Sequence, residues 1–339
     1  MRPSSLLRTI SCKLPASFSH SPVTPWPPAR TAFDRWLTSE LDELRSNPFS
    51  LDRFATAAWL SKALDLAVAV QHFTTKSIAG AHATNSSAID RKMIDNYLDD
   101  DVELLDACNG LRERMDAIKQ YVDRLSIALH WLEGEHEPSE TSIKRAREAL
   151  ELCQLMEKRC SELEKCRSNL RRLGEKLVII TQSARPCEDV SNPRAQLHEV
   201  LSGSRMVALL VAGMLGIALS FKPRRGIPSV QPCRSTASWM SSLHELQKEV
   251  REEFDRRRRR DGLVGLDELD AMAMAARSLG EIISRRGRGD QLKVAVDVFK
   301  RRCEEMERRV WPLEGKLDEL YRQLIGIRVA LLGMLTVAC

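Results

Sequence analysis

From Leu104 to Leu132 an apolar residue stands at each of 104, 108, 111, 115, 118, 122, 125, 129 and 132, stepping by four and three without a miss. A mean spacing of about 3.5 residues is that of a helix keeping one narrow face against a neighbour, whereas a half-buried strand repeats every second residue. The same stepping returns near the C-terminus, through Leu292, Val296, Phe299, Cys303, Met306, Val310, Leu313, Leu317, Leu320, Leu324, Ile327, Leu331, Met334 and Ala338. Pro312 lies within this second seam, where it is expected to kink the helix without shifting its phase. Two narrow apolar seams each need a partner, so both are predicted to lie in one core.

Proline marks where such helices stop. Six of the 14 Pro lie in residues 1–28, and the others stand at 48, 138, 186, 193, 223, 228, 232 and 312. The intervals between them carry further helical stripes. Phe33, Trp36, Leu37, Leu41 and Leu44 form one, and Leu51, Phe54, Ala58, Trp59, Leu66, Val70 and Phe73 another. Residues 76–88, rich in Ser, Ala, Gly and Thr, read as a loop containing the sequon Asn85-Ser86-Ser87. After the break at 133–138, Ile143, Ala146, Leu150, Cys153, Met156 and Cys160 begin a less regular seam that runs on to Ile180, and the short connection predicts an antiparallel pair. Trp239, Leu243, Leu246, Val250 and Phe254 mark one more helix, and Leu266, Leu269, Met272, Ala276, Leu279 and Ile283 another. Sixteen Gly and 14 Pro are few for a fold with turns at every strand end. The expected fold class is all-α: an elongated bundle of long amphipathic helices with coiled-coil-like seams around one central apolar helix.

That helix is Met206–Phe221, an uncharged run bracketed by Arg205 and by Lys222, Arg224 and Arg225. It would extend about 24 Å, against about 30 Å for a bilayer core. Ser204, Ala208, Ala212, Gly216 and Ser220 add a four-residue repeat of small side chains, along which helices in membranes approach closely. A membrane segment including Met206, Leu210, Leu215 and Phe221 is one reading; a core helix buried on all sides by the bundle is the other. Residues 1–31 contain no Asp or Glu and are rich in Ser and Pro, the composition of a disordered basic tail or a transit peptide. Residues 32–339 form the helical region, with a Pro-rich basic linker at 222–234.

Chemistry is harder to find. With 52 basic and 47 acidic residues the net charge of +5 does not call for a nucleic-acid partner. Arg256, Arg257, Arg258, Arg259 and Arg260 form a basic patch expected to be an exposed inter-helix loop able to meet anionic lipid; Arg285, Arg286 and Arg288 form a second. The nine Cys show no CxxC spacing, so Cys153 and its neighbours read as core residues. His198-Glu199 and His244-Glu245 start a zinc-protease pattern that Ser202 and Lys248 then fail to complete. Asp99, Asp100 and Asp101 point in three directions from a helix and read as an exposed acidic face. No cofactor, metal site or catalytic residue is expected, and the chain reads as a non-enzyme.

The stretch Asp95–Asn109, reading DNYLDDDVELLDACN, resembles the most recognisable segment of the plant Bypass family. Trp59-Leu60-Ser61 with Leu64-Asp65, Ala128-Leu129-His130 with Leu132-Glu133, Cys166-Arg167, Trp239-Met240 with Leu243 and Leu246-Gln247, and Leu266-Asp267-Glu268-Leu269 match in the same order. The resemblance spans residues 33–339 and departs at the Pro-rich N-terminus and the Arg256–Arg260 run. It implies a helical plant protein linked to developmental signalling, often with a central membrane-associated segment and without an established catalytic activity. Protein partners through helix faces are expected, with membrane and anionic lipid contact as a further expectation. The expected location is intracellular and membrane-associated, the alternatives being cytoplasm and plastid.

Overall fold

The computed structural model describes residues 31–46, 53–83, 91–133, 138–160, 173, 193–220, 237–260, 265–285 and 289–337. These form helices α1 (Ala32–Arg45), α2 (Ala57–Ala83), α3 (Arg91–Leu132), α4 (Glu140–Cys160), α5 (Pro193–Ala218), α6 (Ser238–Arg260), α7 (Asp267–Ser284) and α8 (Asp290–Val337), with a short 3₁₀ turn at Arg53–Ala55. No strand occurs among the described residues. The N-terminal tail 1–30, the sequon at 85–87, Cys166, Phe221, the 222–234 linker, Arg286 and Arg288 lie outside the described residues.

The two regular seams do share one core. Every seam residue of α3 from Leu104 to Leu132 is buried, together with those of α8 from Leu292 to Leu324, in a single apolar cluster. The helices run antiparallel: Arg112 Nε meets Asp318 Oδ1 at 2.6 Å, Lys119 Nζ meets Glu314 Oε2 at 2.5 Å, and Arg328 Nη1 donates to Leu98 O at 2.7 Å. Pro312 sits inside α8, and Val310 and Leu313 on either side of it are both buried, so the seam keeps its phase. The packing of α8 along α2, α3 and α7 outweighs the roughly 3 kcal/mol that an interior Pro costs.

Antiparallel α4 packs on α3 as the short connection requires, and Tyr121 OH donates to Glu157 Oε1 at 2.8 Å across the pair. By contrast α1 and α6 lie parallel, joined by Asp34 to Trp239 at one end and Arg45 to Glu249 at the other. Asp34 is wholly buried, and its Oδ1 accepts from Trp239 N at 2.9 Å. That N–H is one of the orphan donors of the first turn of α6, so a residue on another helix supplies the N-terminal cap. Glu268 does the same for α2, accepting from Ala57 N at 3.2 Å through Oε2.

Three local expectations are overturned. Residues 76–83 continue α2 rather than forming a loop, because Ile78 is buried against a second apolar cluster that rewards the extra turns. Ala58 is exposed, and Ala57 takes the inward position. The five arginines end α6 rather than forming a loop; Arg256, Arg258, Arg259 and Arg260 are exposed as expected, and Arg257 is buried, its Nη2 paired with Asp267 Oδ1. Only one of five consecutive helical residues need face inward there, and cations at a helix C-terminus complement its dipole.

Candidate functional site

α5 runs through the bundle, packed against α2, α3 and α6, and Met206, Leu210 and Leu215 are all buried. It is apolar on every face and has neighbours on every face. Gly203 is required by α1: a Cβ there would stand 2.7 Å from the ring of Phe33, which is itself held among Trp36, Phe73 and Trp239. A buried helix end must satisfy its last carbonyls without water. Arg114, reaching from α3, does so: Nη1 donates to Gly216 O at 2.5 Å and to Ser220 Oγ at 2.6 Å, while Leu266 N donates to Ala218 O at 2.9 Å. Arg205, read from the sequence as a flank of a membrane segment, is instead buried, with Nη1 2.5 Å from Asp100 Oδ2.

That ion pair belongs to a polar layer crossing the bundle. Ser204 Oγ donates to Gln71 Oε1 at 2.6 Å and lies 3.2 Å from Tyr97 OH, and Arg205 Cζ stands 5.2 Å from the Tyr97 ring centre. Burial, with the charge of Asp101 second, pushes the Tyr97 hydroxyl up from its ordinary value, so it stays a neutral donor. Asp101 is fully buried; neither carboxylate oxygen has a hydrogen-bond partner, and Arg328 Nη1 is 4.0 Å from Oδ2. Burial lifts its carboxyl to about 7, with Arg328 opposing the shift. Asp100 and Asp101 therefore do not form the exposed acidic face that their charge suggested; only Asp99 of the three is exposed. The sequence carried one signal for this: Asp100, Tyr97 and Leu104 lie three and four residues apart, on the seam side of α3.

One side of the layer is the main core. On the other is a smaller cluster of Ile78, Ile94, Tyr97, Leu98, Leu197, Leu201, Ile327, Leu331 and Met334. The layer thus lies where α2, α3, α5 and α8 meet. Among the described residues no group of three His, Cys, Asp or Glu side chains could hold a metal. Burial also pushes the thiols of Cys153 and Cys303 up to about 12, which makes them apolar core groups rather than nucleophiles.

The Asp95–Asn109 stretch supplies the α3 side of this layer, and the family described as Protein BPS1 matches residues 79–334. The chain belongs to the BPS1 family. The Bypass resemblance read from the sequence is the same family. Among relatives, UPF0496 protein 4 of rice, Oryza sativa subsp. japonica, is 26% identical over 231 residues, covering 68% of this chain and 49% of that protein. Its counterpart from subsp. indica matches to the same extent. Protein BPS1, chloroplastic, of Arabidopsis thaliana is 24% identical over 306 residues, 90% of this chain and 83% of that protein. The chain spans about half the length of the rice relatives it matches. No solved structure matches.

Family-like residues recur as fasteners between helices. Trp59 Nε1 donates to Leu44 O at 3.2 Å, Lys316 Nζ meets Asp65 Oδ2 at 2.5 Å and Lys300 Nζ meets Glu133 Oε1 at 2.9 Å. Asp267 holds Arg257, and Glu268 caps α2. Several of the residues that carry the family resemblance thus join one helix to another.

Proposed function

We propose that this BPS1-family chain is a non-enzymatic helical interaction protein with a part in plant developmental signalling, and that it works by presenting the outer faces of its bundle to protein partners. The observation that carries this reading is the capping of α5 by Arg114 together with the Arg205–Asp100 pair, which supports an internal strut for the apolar helix and leaves α3, α4 and α8 to meet partners. The developmental role rests on the family alone. A plastid location is supported by the acid-free tail 1–31 and by the word chloroplastic in the name of the Arabidopsis relative.

Membrane association through α5 is the second reading, favoured by one observation: Pro193–Ala218 is long and apolar enough to cross a bilayer. Fractionation separates the two. As a bundle core, α5 leaves the wild type in the supernatant after high-speed centrifugation or a carbonate wash, and Leu210→Arg aggregates. As a bilayer segment, it keeps the wild type in the pellet until detergent is added, and Leu210→Arg, at about 2.5 to 3.5 kcal/mol at a bilayer centre, releases it.

A further inference from the structure

We propose that residues 325–337 of α8 are held against the bundle by a proton-dependent latch at Asp101, closed when the carboxyl is neutral and loosened when it ionises. The geometry is that of a group placed where its charge has no adequate support. Asp101 is fully buried and neither of its oxygens is hydrogen-bonded. Its counter-charge, Arg328, spends Nη1 on Leu98 O at 2.7 Å and leaves that nitrogen 4.0 Å from Asp101 Oδ2, beyond hydrogen-bonding range. A buried carboxylate without hydrogen bonds is costly, and the neutral acid much less so.

The charged and titratable groups of the layer are Tyr97 and Asp100 on α3, Arg205 on α5 and Arg328 on α8, and α2 contributes the neutral Gln71. Arg205 is engaged with Asp100 at 2.5 Å, so the Asp101 charge falls to Arg328 alone among these cations. What the latch holds is small. The cluster beyond the layer rests on Ile327, Leu331 and Met334 from α8, against a main core that takes ten seam residues from the same helix. Local opening of such an end is the low-cost motion of a helical bundle, and here it would expose the apolar faces of Ile94, Leu98, Leu197 and Leu201.

The direction follows from proton linkage. The carboxyl titrates near its ordinary value of about 4 when the end is open and about 7 when it is docked. Docking is strongest below the lower value, weakens as pH rises through the interval, and levels off above the upper one.

Hydrogen exchange on the full chain tests this, with intrinsic exchange rates corrected for pH. The opening constant of peptides within 325–337 should be at least about tenfold larger at pH 8 than at pH 5, while peptides within 111–125 should not change. Asp101→Asn, neutral and of the same shape, should remove the dependence and hold the end closed at both pH values. Arg328→Gln withdraws the counter-charge and should move the midpoint to higher pH. Wild-type opening that is independent of pH, or a dependence that survives in Asp101→Asn, overturns the latch; so does a midpoint in Arg328→Gln that stays or falls.

Discussion

The main core draws on all eight helices and the end cluster on four of them, α2, α3, α5 and α8, and the two are held by different means. The main core is apolar along the α3 and α8 seams, includes the aromatic pairs Phe33–Trp239 and Phe54–Trp59, and is closed on its rim by ion pairs. The end cluster has nine buried residues, one of them Tyr97, and is set apart from the core by Gln71, Asp100, Asp101, Ser204 and Arg205. A continuous seam therefore does not mean a continuous core. Leu324 and Ile327 are successive positions of one stripe, and they fall in different clusters because α3 and α5 bring polar side chains to that level.

Substitutions should sort by the side of this division on which they fall. Ile118→Asp and Leu320→Asp place a charge in the middle of the main core, at a cost above about 4 kcal/mol each. Loss of helical circular dichroism and of a cooperative melt is expected for both; a folded variant of either would show that its seam is not a load on the common core. Arg114→Met takes the charged cap from α5 and should cost about 1 to 2 kcal/mol, because Gly216 O and Ser220 Oγ lose their charged donor while the Ser220 hydroxyl still donates to Gly216 O. A lowered urea midpoint at unchanged slope is the signature.

On the other side, Leu331→Ala should lose about 2 to 3 kcal/mol from the docking of the end while leaving the global midpoint within about 0.5 kcal/mol of wild type. Equal losses in both measurements would merge the two clusters into one cooperative unit. The finest contrast lies at the rim. Arg257→Gln should cost about 1 to 2 kcal/mol, less than a fully buried pair because Asp267 is about a third exposed. Arg258→Gln and Arg259→Gln, on exposed positions of the same turn, should stay within about 0.5 kcal/mol. Thermal or urea melts of the three single variants decide it.

Much of the architecture was legible in order of appearance along the chain. Helix identity, the sharing of one core by residues 104–132 and 292–324, and the antiparallel α3–α4 pair all follow from local spacing and short connections. Cys153 and Cys303 were likewise readable as core. The misreadings concern charge. Arg205 passed for a membrane flank, Asp100 and Asp101 for solvent-facing acids, and Arg256–Arg260 for a loop, because a charged residue in isolation is best kept in water. For Arg205 with Asp100 and for Arg257 with Asp267 the partner, about 100 or ten residues away, arrives only when the helices pack, whereas Asp101 is carried inside without a hydrogen-bond partner.

By itself, then, the sequence determined periodicity. The four-three stepping of apolar side chains is enforced by helix geometry within a few residues, and the family motif around Asp95–Asn109 is a local string, so fold class and kinship could both be read before any packing was known. Only the tertiary structure decided what the buried charges are for and what surrounds the apolar run of α5. Those depend on which faces meet across the bundle: Arg114 on α3 reaching the last carbonyls of α5, Arg205 finding Asp100, and Arg328 stopping short of Asp101. An apolar helix has the same composition in lipid and in a protein core, and the neighbours that distinguish the two are contributed by other helices.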